Sequence, residues 1–168
     1  PGMFDADSAE ALGQLVFDVS VDAEIPSGGV VSTAGDIFRF AEALRLGGSL
    51  DGGRILSPAT IALATHIHSG DKTNNLYDFA RGMRDWPEFP ANLGFGFFVR
   101  GGGHHPTYFG MSASPATFGA MGAGSTLFWV DPERGITFVC LTCGLMEETR
   151  SCDRFMRLSD IAIAAALS

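Results

Sequence analysis

Lysine is nearly missing from this sequence: Lys72 is the only one among 168 residues. Lys and Arg together number 11 against 19 Asp and Glu, and the formal net charge is −8. The arginines read as scattered, with no basic stripe. Nucleic acid and anionic lipid are held by clustered cations, so neither partner is expected. Cysteine is scarce too. Three is an odd number and too few for a disulfide framework, which points to a reducing, cytoplasmic setting. Long apolar runs are absent. The longest, Ile161 to Leu167, falls far short of the roughly 20 residues a membrane span needs. The opening Pro1-Gly2-Met3-Phe4-Asp5 has neither a basic n-region nor an apolar h-region, so no signal peptide is expected. It also starts no element, and reads as the middle of a longer chain.

What is present is core material. Hydrophobic residues make up 46% of the chain and 14 are Phe, which excludes disorder. The length suits one domain burying about 70% of its unfolded surface.

Pro1 to Glu24 shows only weak pattern, and Pro26-Ser27-Gly28-Gly29 is a turn signal. Thr33 then caps a helix, with Asp36 completing a capping box. Ile37, Phe40, Ala41 and Leu44 form its apolar face and Gly47-Gly48 ends it. Leu50 to Leu56 is a tight turn, and Ser57-Pro58 caps a second helix running to about Thr65. Gly70 to Asn92 reads as a long loop, and Leu93 to Val99 as a strand ended by Gly101-Gly102-Gly103. After a loop from His104 to Thr117 come a short strand, Phe118 to Met121, and a hairpin of Ser125–Val130 and Ile136–Leu141. Both hairpin strands are apolar at nearly every position, so both sheet faces need cover. A last helix spans Glu148 to Leu167, with Phe155, Leu158, Ile161, Ala162 and Ala165 as its inner face. The fold class is α+β: an antiparallel sheet of at least four strands flanked by helices. These helices look too few to cover both faces. Pairing with a missing N-terminal half, or with a second copy, is expected.

Several residues invite chemistry. Cys140-Leu141-Thr142-Cys143 has redox spacing, but Cys140 sits inside an apolar strand, where cysteine acts as a small hydrophobe. His66-Ile67-His68 and His104-His105 are potential metal ligands, but nothing brings the pairs together. No metal and no cofactor are expected. Gly110-Met111-Ser112-Ala113-Ser114 lacks the last Gly of a nucleophile elbow. Trp129 is mid-strand and reads as core, while Trp86, in the long loop, is a candidate for the ligand site.

"GGVVSTAGDIFRFAEAL" (Gly28–Leu44), "RILSPATIAL" (Arg54–Leu63), "LGFGFFV" (Leu93–Val99) and "FGAMGAGSTLFWVDPERGITFVCLT" (Phe118–Thr142) come in an order that resembles one family. It is the serine β-lactamase-like family of class C β-lactamases, related esterases and D-alanyl-D-alanine peptidases. The resemblance covers about Glu24 to Leu167 and implies the C-terminal portion of a β-lactamase/transpeptidase-like fold, residues 1–168 forming a single partial domain. It also implies an acyl-enzyme mechanism. The family's S-x-x-K serine and lysine would lie in the missing N-terminal half. Its third motif, a cation followed by x-Gly, falls on Ala120-Met121-Gly122. The backbone N–H of Ala123 would then be one oxyanion donor, with Gly124 completing the edge that meets substrate. Ala120 carries no charge, which favours the esterase branch and a small ester or acyl substrate. Tyr77 and Tyr108 are not followed by x-Asn, as the family's tyrosine would be. Ser69-Gly70-Asp71-Lys72 fits S-x-x-K formally, but reads as a loop. The alternative is a non-catalytic binding or structural module on the same fold.

Overall fold

The computed structural model describes residues 6–22, 31–75, 78–122, 125–144 and 146–168. The turn signal at Pro26 to Gly29 lies outside them.

Helix α1 runs Ala6–Asp22, where the sequence showed only weak pattern. Its Leu15 is well exposed, so no strong apolar stripe marks it. Helix α2 spans Ala34–Arg45. Thr33 Oγ1 accepts from the Asp36 N–H at 3.2 Å, satisfying a donor of the first turn, and donates to the Asp36 carboxylate at 2.9 Å. Strands β1 (Ser49–Leu50) and β2 (Gly53–Arg54) form a minimal hairpin. Its central residues, Asp51 and Gly52, have φ of 49° and 81°, the Asp-Gly signature of a type I′ turn. Helix α3, Pro58–Thr65, starts on Ser57, whose hydroxyl accepts from the Thr60 N–H at 3.0 Å.

Three expectations need correction. The loop from Gly70 to Asn92 contains helix α4, Asp78–Arg84, with Arg81 bonded back to Asp78 at 3.0 Å. The strand expected from Leu93 to Val99 shrinks to β3, Phe98–Val99. The Gly94 N–H donates to Phe97 O at 2.9 Å and Gly96 adopts φ 77°, so the glycines fold the apolar run back on itself. The third correction concerns the last helix.

Strands β4 (Phe118–Gly122), β5 (Thr126–Asp131) and β6 (Ile136–Leu141) complete an antiparallel sheet of order β3-β4-β5-β6. Alternation along β5 builds two cores. Val130, with Phe128 packed alongside, joins Ala41 and Leu44 of α2 and Ile61 of α3 on one face. Leu127 and Trp129 join Cys152, Phe155 and Ile163 of α5, Glu148–Ala166, on the other. Both faces are thus covered over β5, but β6 is half-buried and, among the described residues, an edge strand.

The inner face of α5 is Cys152, Phe155, Ser159 and Ile163, while Leu158, Ile161 and Ala165 point outward. Polar contacts choose this face. Trp129 Nε1 donates to Ser159 Oγ (2.9 Å), which donates to the Tyr108 carbonyl (2.9 Å). Asp160 accepts from the Met111 and Ser112 N–H groups at 3.2 and 2.8 Å. Turning the helix toward its apolar count would leave the buried Trp129 N–H without an acceptor.

Candidate active site

Strand β4 pairs with β5 along its whole length, from Phe118↔Val130 to Gly122↔Thr126. On its other side β3 reaches only Phe118 and Gly119. Among the described residues, Ala120, Met121 and Gly122 therefore present an unpaired strand edge. Such an edge offers backbone donors and acceptors to an extended ligand. Met121 packs on the α5-face cluster and Phe118 belongs to the α2-face cluster, so Ala120 and Gly122 alternate onto the α2 face.

Ala120 stands opposite Phe128. The Phe128 ring meets Phe40 edge-on at 5.9 Å and Phe97 at 6.5 Å. The partner of Ala120 across the strand pair thus belongs to an aromatic cluster of Phe40, Phe97 and Phe128. A Cβ on Gly119 would lie 2.1 Å from Phe128 O, and one on Gly122 would lie 2.6 Å from Thr126 Oγ1. Internal packing against β5 therefore requires glycine at Gly119 and favours it at Gly122, whatever a ligand needs.

The chain reverses after Gly122, since the Ser125 N–H donates to Gly122 O at 3.0 Å. Ala123 and Gly124 lie outside the described residues, and with them the expected oxyanion donor. Ser125 is a residue the sequence reading missed as a positioning group. It is buried, with φ 69°. Its hydroxyl donates to Gly144 O (2.6 Å), and its carbonyl accepts from Thr142 N–H (3.1 Å) and Oγ1 (2.6 Å). These bonds tie the β4–β5 reversal to the end of β6. A lone serine after glycines gave no signal of this.

Asp131, fully buried at the end of β5, fixes the other end of the hairpin. It accepts from Ser114 N–H (2.9 Å), Ser114 Oγ (2.7 Å) and Arg134 N–H (3.0 Å). Burial pushes its carboxyl pKa up, but the bonds from Ser114, Arg134 and Thr117 together outweigh burial and hold it below the ordinary value. A depressed folded-state pKa gives stability that is present above the unfolded pKa and lost as pH falls through the folded one. Asp131 should thus stabilise the fold above about pH 4 and stop doing so in stronger acid. Asp131→Asn, which cannot accept all these bonds, should cost about 1–3 kcal/mol at neutral pH, measured by urea unfolding. The gap to the parent should narrow in acid.

Other candidates are placed elsewhere. Trp86 is half-buried against the α5-face cluster, on which Met121 also packs, and lies 6.5 Å from the Phe89 ring. Tyr108 is core, 6.2 Å from Phe155, and Tyr77 lies outside the described residues. Ser69 Oγ accepts from the Leu93 N–H at 3.1 Å, and Lys72 N–H donates to Ser69 O at 3.2 Å. Ser69 and Lys72 thus form a turn, not a helix start. Cys140 packs against the α5-face cluster, and burial raises the Cys152 thiol to about 12. His68 stacks on Phe95 at 3.8 Å and donates Nε2–H to Leu63 O at 2.8 Å, whereas His105 stacks on Phe89. Among the described residues no three potential metal ligands come together.

Residues 1–162 match the family model described as β-lactamase, and the chain belongs to that family. Among solved structures it is similar to a β-lactamase from Mycobacterium bovis, with a TM-score of 0.65 and 24% sequence identity. The match covers 94% of this chain and 54% of that one, so this chain spans about half the length of the structure it matches. Comparison with curated proteins finds no match. The membership makes hydrolase chemistry the family's activity, and the structural likeness bears on the fold.

Proposed function

We propose that the chain forms the sheet-edge half of a serine hydrolase of esterase type that works through an acyl-enzyme. The unpaired edge at Ala120–Gly122, with an aromatic cluster across the strand pair, carries this reading. The uncharged Ala120 favours an ester or related neutral acyl compound over a carboxylate-bearing substrate. In this reading the Ala123 N–H is one oxyanion donor, Ala120, Met121, Gly122 and Gly124 line the edge, and the nucleophile comes from outside these residues. Trp86, packed on the cluster that Met121 also joins, is the aromatic candidate on the α5 side of this edge. The loss of the family's cation at Ala120 also suits a non-catalytic module; a parent sequence without S-x-x-K would favour that.

The 168-residue chain alone should not hydrolyse p-nitrophenyl butyrate above a denatured control. Turnover by the chain would overturn the proposal, and a burst of acylation lost in Ser69→Ala would assign the nucleophile to Ser69 instead.

The sheet also lacks a neighbour for β6 among the described residues, and Leu141, Leu158, Ile161 and Leu167 are exposed. The chain is proposed to pair through this region with the N-terminal half or with itself. Light scattering should show self-association at micromolar concentration, with binding of a hydrophobic dye. A monodisperse monomer that binds no dye would refute it.

A further inference from the structure

The histidines of this chain do not behave alike. His105 donates Nδ1–H to Pro106 O at 3.1 Å, and its Nε2 is buried out of a ligand's reach. The His104-His105 pair therefore cannot chelate. His66 and His68 are both exposed. His66 has extended backbone, with φ −67° and ψ 141°. Alternate residues of an extended segment share one side. The two rings do meet, 5.1 Å apart between centroids and 79° between planes. Two imidazoles bound to one tetrahedral ion at about 2.1 Å have ring centroids about 5 Å apart. The separation of a chelating pair is already present.

Several contacts fix the pair. His68 N–H donates to Leu93 O and Phe95 N–H to Ala64 O, both at 2.8 Å. A Cβ on Gly94 would lie 2.1 Å from Ala64 O and 3.3 Å from His66 O, so glycine lets the two segments lie this close. The His68 ring lies flat on Phe95, 3.8 Å away and 10° from parallel. Its Nε2–H is held by Leu63 O at 2.8 Å, which in the neutral ring leaves the Nδ1 lone pair for a ligand. Metal-binding histidines are commonly oriented in this way, by a carbonyl on the second nitrogen. Among the described residues His66 makes no hydrogen bond or ion pair, so its ring can turn to meet the same ion.

We infer that His66 and His68 form a two-histidine site for a borderline divalent transition ion, with water completing its shell. Among the described residues no further His, Cys, Asp or Glu joins the pair. Two neutral nitrogens without an anionic oxygen do not suit Mg²⁺ or Ca²⁺, and without a thiolate they do not select Cu⁺. Imidazole suits Zn²⁺, Ni²⁺ and Cu²⁺, and of these Cu²⁺ should bind most tightly. The four histidines are not needed together, since one pair has the spacing. The pair shares no residue with the β4 edge, so it stands or falls apart from the esterase reading.

Zinc chloride titrated by calorimetry into the untagged 168-residue chain tests this. Saturable one-site binding is expected, and magnesium chloride should give none. His66→Gln and His68→Gln should each lower zinc affinity at least about tenfold, since each leaves a single protein ligand. Phe95→Leu keeps an apolar side chain but not the flat stack, and should weaken binding less. His104→Gln should change nothing, and circular dichroism should show every variant folded. Copper(II) gives a second readout. Electron paramagnetic resonance of the Cys143→Ser chain, which lacks the exposed thiol that would reduce copper, should show two coupled nitrogens. Adding His66→Gln should leave one. No saturable heat, unchanged affinity in His66→Gln or in His68→Gln, or an equal loss in His104→Gln would overturn the site. Loss of zinc binding in Cys143→Ser would overturn it too, in favour of a thiolate site.

Discussion

Gly119→Ala is expected to cost about 3 kcal/mol or more and to lower the melting temperature by roughly 10 °C. Gly119 pairs with Trp129 across β4 and β5. An added Cβ would lie 2.1 Å from Phe128 O, 2.8 Å from Trp129 Cα and 2.9 Å from Trp129 Cβ. The first two are backbone atoms of the central strand, and Trp129 is fully buried between β5 and α5. Nothing there can swing aside, so the methyl must part β4 from β5. Against a total stability of about 5–15 kcal/mol, such a loss leaves little margin. Gly82→Ala is the control. Gly82 lies in α4 with nothing within 4 Å of its would-be Cβ, so this change should stabilise by about 0.5–1 kcal/mol. Thermal unfolding of both variants beside the parent checks the pair. A Gly119→Ala protein that melts like the parent would mean that β4 does not lie against β5 in this register.

The elements legible in the sequence are those that state their ends in neighbouring residues. Thr33 and Ser57 cap α2 and α3 with their own side chains, and Asp51-Gly52 sets its turn by backbone preference alone. The hairpin of β5 and β6 was legible because its apolar strands flank a turn centred on Asp131 to Gly135. Contacts between residues distant in sequence could not be seen. The α5 face is chosen by Ser159 and Asp160, whose partners Tyr108, Met111 and Ser112 lie about 50 positions earlier. Counting apolar residues selects Leu158 and Ile161 instead, and they face outward. The same limit applies to the site. Ala120-Met121-Gly122 could be found by its place before a stiff hairpin. That its edge is open depends on β3 starting only at Phe98, since the antiparallel register would set Phe97 to Phe95 beside Ala120 to Gly122, and this follows from the fold-back at Gly94 and Gly96.

On the proposed function, Ala123→Pro in a longer hydrolase containing these residues is expected to lower turnover by about 10²–10³, the usual cost of one oxyanion donor, roughly 2.7–4 kcal/mol. Proline deletes the N–H and little else that the proposed mechanism uses. The surroundings should keep the reversal in place. Gly122 and Ser125 are joined by a backbone bond of 3.0 Å, and Ser125 is anchored to Thr142 and Gly144. Two milder changes separate the donor from its neighbours. Ala123→Gly keeps the N–H and should stay within a few-fold of the parent. Ala120→Gly removes one methyl beside the aromatic cluster of Phe128, Phe40 and Phe97, and should do little more. A donor used only when charge develops on the oxygen acts on kcat and kcat/KM together and leaves KM nearly unchanged. A strand distorted by proline would instead raise KM and lower the melting temperature, so kinetics and circular dichroism must be read on the same samples. If Ala123→Pro stays folded and turns over within a few-fold of the parent, the oxyanion donor lies elsewhere, and the open edge at Ala120–Gly122 serves binding alone.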